Sequence, residues 1–119
     1  GNIVFCLSRG PMYQVSARGG DPSLVLELTE GVELDYHQPA WVSEGGGFVY
    51  SVHRTEGVDT IEFLRDGQRH VLLQIEGQLS GNVQLLNNPV WSPTGHILFQ
   101  RDQGNRGLSS DGILNGGRA

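Results

Sequence analysis

Pro39-Ala40-Trp41-Val42-Ser43, followed by glycines and then Phe48-Val49-Tyr50, returns as Pro89-Val90-Trp91-Ser92-Pro93, Gly95 and Ile97-Leu98-Phe99. The two Pro-x-Trp units lie 50 residues apart, from 39 to 89. A fragment of the same pattern opens the chain, where Gly1-Asn2-Ile3-Val4-Phe5 matches Gly95-His96-Ile97-Leu98-Phe99. The aromatic positions Phe5, Tyr50 and Phe99 are thereby spaced by 45 and 49 residues.

The segments downstream of the first two copies also agree. After Phe5 come Met12-Tyr13-Gln14-Val15-Ser16, the turn Gly19-Gly20-Asp21, and Leu24-Val25-Leu26. After Tyr50 come Thr60-Ile61-Glu62-Phe63-Leu64, the turn Asp66-Gly67, and Val71-Leu72-Leu73. Runs rich in β-branched and aromatic residues, bounded by Gly, Pro, Asp and Asn, read as strands. They fall near 3–8, 12–16, 24–28, 38–42, 47–52, 60–65, 70–75, 88–92 and 96–101. Asp66-Gly67 between two apolar runs is the strongest hairpin signal, because glycine accepts the positive φ of a two-residue turn. Pro39 and Pro89 each open a strand, where the missing N–H does least harm. No stretch holds the apolar i, i+3, i+4, i+7 spacing of a helix.

A unit of this length with four short strands is the mark of a β-propeller blade. The predicted fold is all-β: a partial β-propeller of two to three four-stranded antiparallel blades, completed by oligomerisation. Blade one covers 1–36 and lacks its inner strand, blade two covers 37–86, a third starts over 87–108, and 109–119 form a flexible tail. The Trp-Ser-Pro-x-Gly unit before an apolar strand resembles the repeat of TolB-type, WD-like propellers. Such domains are attached to bacterial serine/threonine kinases and to prolyl-oligopeptidase-like peptidases. Ser92-Pro93-Thr94-Gly95 is similar to that family's Ser-Pro-Asp-Gly turn, with Thr in place of Asp; Ser43-Glu44-Gly45-Gly46-Gly47 departs further and has no proline. The resemblance implies that the Pro-x-Trp strand is innermost, and it speaks to fold rather than function.

Phe5, Trp41, Tyr50, Trp91 and Phe99 are the expected repeat core, with truncation of either tryptophan costing roughly 3–5 kcal/mol. Two blades and a fraction leave apolar sheet faces and an unpaired edge open, and repeat units need about three or more neighbours for stability. Either the residues are a piece of a longer propeller or several copies assemble into one ring, and a homo-oligomer that closes the ring is the expected partner arrangement. Three copies with two blades each would give six blades, with strand 96–101 needing another location.

Thirteen acidic residues against eight basic ones give a net charge of −5, and all eight basic residues are arginine. That balance speaks against nucleic acid and against an anionic membrane surface. Apolar runs never approach the roughly 20 residues of a membrane-spanning helix. Cys6 is the single cysteine, which excludes an internal disulfide and points to a buried, inert thiol.

Asp35 and His37 are the candidate ligand-binding residues. At i, i+2 in an extended segment they share a side, near the mouth of a propeller channel, where a metal or polar ligand could bind. The plainer and favoured reading is that they hydrogen-bond neighbouring blades. His53, His70 and His96 lack zinc-ligand spacing and read as solvated strand-end histidines. Glu27, Glu30, Glu33 and Asp35 read as a solvated acidic loop without a compensating base. Gly77-Gln78-Leu79-Ser80-Gly81 places its serine one residue late for a nucleophile elbow. No phosphate loop or dinucleotide fingerprint occurs, so neither a catalytic set nor a cofactor is expected. The predicted function is a non-catalytic interaction scaffold for a protein, peptide or small polar ligand. The alternatives are the accessory or gating propeller of a hydrolase and a truncated fragment without its own activity.

Overall fold

The computed structural model describes residues 1–7, 10–43, 46–55, 57–76 and 86–101. The Ser80 segment and the 109–119 tail lie outside them. The strands are β1 (Asn2–Cys6), β2 (Met12–Ser16), β3 (Ser23–Leu26), β4 (Glu33–Val42), β5 (Gly47–Arg54), β6 (Val58–Arg65), β7 (Gln68–Glu76), β8 (Leu86–Ser92) and β9 (His96–Arg101). They form antiparallel sheets ordered β1-β2-β3, β4-β5-β6-β7 and β8-β9. Among the described residues there is no helix, and none long and apolar enough to cross a membrane.

Turn chemistry accounts for the registers. Asp66 and Gly67 have φ of 53° and 77°, the two-residue turn expected there, and it pairs Arg65 with Gln68. Gly95, at φ 92°, donates its N–H to the Ser92 carbonyl at 2.8 Å and closes the β8–β9 turn. The two Pro-x-Trp stretches take the same local backbone. Trp41 pairs with Phe48 and Trp91 with Ile97, and a bulge precedes each, between His37 and Ala40 and between Asn87 and Val90. Within those bulges Gln38 and Asn88 have φ of 57° and 55°. The Asn88 N–H donates to Gln38 Oε1 at 2.6 Å, so the two bulges are joined directly.

The four-stranded sheet is the middle layer. Its Tyr36, Phe48, Tyr50, Val52 and Leu64 side packs on Met12, Val4, Cys6 and Leu26 of the first sheet. Its opposite side carries Ile61, Leu73 and Ile75 against Leu86, Ile97 and Phe99 of the third. Alternation along each strand sends successive side chains to opposite layers, which is why β5 is buried along nearly its whole length.

Two expectations change here. β4 begins at Glu33 rather than near 38, because Glu33 and Asp35 find partners on other strands of the same sheet and are buried instead of solvated. Tyr50 and Phe99 are buried and Phe5 is half-buried, but Trp41 is 49% exposed. Trp41 stacks edge-on against Phe48, with ring centroids 5.4 Å apart, and faces a first sheet that, among the described residues, has no strand beyond β1. Trp91 faces the middle sheet, where β4 underlies it, and is half-buried. Trp41→Ala is therefore expected to cost about 1–2 kcal/mol, well below the roughly 3–5 of a core tryptophan. A urea midpoint shift as large as that of Tyr50→Ala would contradict this.

Candidate functional site

A register shift between Glu33 and Asp35 splits the start of β4 between two environments. Glu33 and Tyr36 turn toward the first sheet, Asp35 and His37 toward the third.

On the first side lies a buried ion cluster. Arg69 Nε donates to Glu62 Oε1 and its Nη2 to Glu33 Oε2, both at 2.8 Å. Arg54 Nη2 reaches Glu62 Oε2 at 3.1 Å and Glu33 Oε2 at 3.4 Å. Thr60 and Tyr50 hydroxyls donate to Glu62 at 2.7 and 3.1 Å, and Tyr36 donates to Glu33 at 2.7 Å. Burial pushes both glutamates up, but the Arg69 hydrogen bonds and charge, with those other donors, outweigh it and hold both below the usual carboxylate range. Burial and the neighbouring carboxylates push the Tyr36 and Tyr50 phenols well above their ordinary value. Two carboxylates matched by two guanidiniums leave no acid or base with spare valence. The cluster ties β4, β5, β6 and β7 of the middle sheet together across one face.

On the other side sits the predicted pair, joined by a third residue. Asp35 Oδ1 lies 2.7 Å from His53 Nδ1, and Asp35 Oδ2 lies 3.1 Å from His37 Nε2. His53 Nε2 is 3.0 Å from the Leu86 carbonyl and 3.7 Å from Asp59 Oδ2, which itself accepts the Leu86 N–H at 3.0 Å. The two imidazoles are tilted, centroids 5.0 Å apart. His53 and Asp35 are buried, with side chains 2% and 7% exposed, while His37 is 31% exposed. Asp35 and His37 do share a side, and Asp35 serves as a bridge between two histidines on neighbouring strands.

Comparison with protein-family models, with curated proteins and with solved structures finds no match for this chain.

His53 was expected at the surface with His70 and His96; those two are exposed, and His53 is not. Continuing the β4–β5 pairing from Trp41 opposite Phe48 without a break would set Asp35 opposite Arg54; the one-residue shift between His37 and Ala40 is what sets His53 opposite Asp35. Local spacing missed it because the pair is 18 residues apart in sequence. Cys6 is half-buried, and burial first, then the Asp35 charge, push its thiol up to about 11. It is a protonated, poor nucleophile at neutral pH. The chemistry available at the site is to hold a cation or a proton between Asp35 and two imidazoles, with His37 as the edge reached from solvent.

Proposed function

We propose that the chain is a non-catalytic propeller scaffold whose sheets continue head to tail into the next copy of itself. One observation carries this reading: the two outward faces of the stack match the two sides of the interfaces already made inside the chain. Phe48 and Tyr50 of the middle sheet face the sheet before it, as Ile97 and Phe99 of the third sheet do. The corresponding residues of β1, Ile3 and Phe5, face outward together with Leu24, and Ile3 and Leu24 are exposed. Conversely Val4 and Cys6 face the sheet after them, and their counterpart on β9, Leu98, is exposed beside its cross-strand partner Val90. Exposed apolar patches of this kind mark interaction surfaces.

Unlike faces on opposite ends make a heterologous contact, which closes into a ring if the rotation permits. A propeller is such a ring. The acidic, lysine-free surface and the inward-turned polar clusters support a module that binds through its loop ends and does no chemistry of its own.

Light scattering of the folded chain is expected to give a multiple of 13.0 kDa. Leu24→Glu spoils one end and Leu98→Glu the other, so each variant alone should fail to form the full assembly. Mixed, they keep one sound interface between them and should form a one-to-one dimer. A monomeric wild-type chain, or variants that assemble like wild type, would refute the reading.

A further inference from the structure

We infer that Asp35, His37 and His53 form a binding site for a divalent first-row transition ion, of the Co²⁺, Ni²⁺ or Zn²⁺ class. Their candidate ligand atoms all lie within 4.8 Å of one another. Metal–ligand bonds of about 2.0–2.2 Å place donors roughly 3–3.5 Å apart, which small side-chain rotations from the observed 2.7 and 3.1 Å contacts reach. Two imidazoles and one carboxylate suit this class of ion, and they leave coordination positions for water on the His37 side.

The surroundings of His53 give the physical reason. Its Nε2 lies 3.0 Å from the Leu86 carbonyl, which can only accept, so an N–H at Nε2 satisfies that contact. Nδ1 then faces an Asp35 carboxylate oxygen 2.7 Å away, which sets a ring nitrogen and a carboxylate oxygen side by side as two ligands for one ion. The Leu86 contact is the outer-shell hydrogen bond that orients a metal-binding imidazole, and Asp59 steadies it through the Leu86 N–H.

The ligands come from β4 and β5, while the carbonyl orienting His53 belongs to β8 of the next sheet. Loading the ion should therefore also tighten the packing of those sheets.

The test is calorimetric titration of the tag-free full chain with Co²⁺ or Zn²⁺ at neutral pH, with the visible spectrum of the Co²⁺ form as a second readout. The expected result is one saturable site per chain, a Co²⁺ spectrum of mixed nitrogen and oxygen ligation, and a raised melting temperature. His37→Ala removes the half-exposed ligand and leaves the buried pair intact, so it should fold and bind tenfold or more weakly. His70→Ala and His96→Ala remove exposed histidines elsewhere and should bind as wild type. Absence of saturable binding, or His37→Ala binding as tightly as wild type, would overturn the assignment. Asp35→Asn, if it folds, should bind as poorly as His37→Ala; wild-type affinity there would overturn it equally.

Discussion

Arg69→Ala is expected to lower the stability of the chain by about 3 kcal/mol, seen as a lower urea midpoint with an unchanged slope. Arg69 makes the shorter of the two bridges between Glu33 and Glu62, with one 2.8 Å hydrogen bond to each, and its guanidinium lies 5.4 Å from the centre of the Tyr36 ring. Removing it turns a balanced set of two carboxylates and two guanidiniums into one with excess negative charge. The Glu62 side chain is 2% exposed, so water cannot make up the difference. Breaking a buried pair from one side costs roughly 3–5 kcal/mol. The lower end applies because Arg54 stays beside Glu62 at 3.1 Å and Arg69 itself is partly solvated. Against a typical domain stability of about 5–15 kcal/mol, that is a large loss. Arg65→Ala is the comparison: its pair with Asp66, at 3.8 Å, lies in solvent and should be worth less than about 0.5 kcal/mol. Equal effects at the two arginines would show that the cluster holds nothing together.

The same cluster fixes the sign of an acid response. Glu62 is held below the ordinary glutamate value of 4.5, since Arg69 and Thr60 outweigh its burial. A depressed carboxylate contributes stability that is complete above 4.5 and is lost as pH falls through its folded value. In Arg69→Ala the glutamate takes up its proton more readily, which relieves the unbalanced charge. The stability gap between wild type and variant should therefore narrow below about pH 4.5 and be widest near neutrality. A gap that grows with acid would contradict the assignment.

The parts of the fold legible in the sequence were those specified by neighbours. The Asp66-Gly67 turn needs positive φ at both residues, and strands β6 and β7 follow from it. The paired bulges were half legible: Pro39 and Pro89 marked their place, but nothing local announced left-handed backbone at Gln38 and Asn88. The polar residues failed for a definite reason. Glu33 reads as part of a solvated acidic run because its partners, Arg54 and Arg69, lie 21 and 36 residues on. Charge compensation across strands leaves no trace in a local window, whereas turn chemistry does. Trp41 failed differently. Its sequence environment copies that of Trp91, yet burial depends on what the adjacent sheet places against it, and that is a property of the stack. The Asp35–His37 pair was legible because i, i+2 fixes a common face, while His53 needed the β4–β5 register.

Gly47→Ala is expected to cost about 3 kcal/mol, although it adds a single methyl group. A Cβ at Gly47 would stand 2.1 Å from the Leu64 carbonyl oxygen and 2.9 Å from the Phe63 ring. The ring could turn aside, but the carbonyl belongs to the backbone of β6, where Leu64 pairs with Phe48. Accommodating the methyl therefore means prising β6 from β5 at the end of the middle sheet. Leu64 would be drawn out of its packing with Phe48 and Tyr50 at the same time. Overpacking costs about 1–3 kcal/mol where side chains can adjust, and the upper end applies where the obstacle is main chain. Gly46 provides the contrast one residue earlier. Its φ of +72° strains any other residue, but its missing Cβ meets nothing within 4 Å. Gly46→Ala should therefore lose only the conformational term, about 1 kcal/mol. Urea midpoints of the two variants separate the mechanisms, since one substitution collides with a strand and the other merely bends a turn. If Gly46→Ala proves as harmful as Gly47→Ala, the close approach of β6 is not what requires glycine at 47.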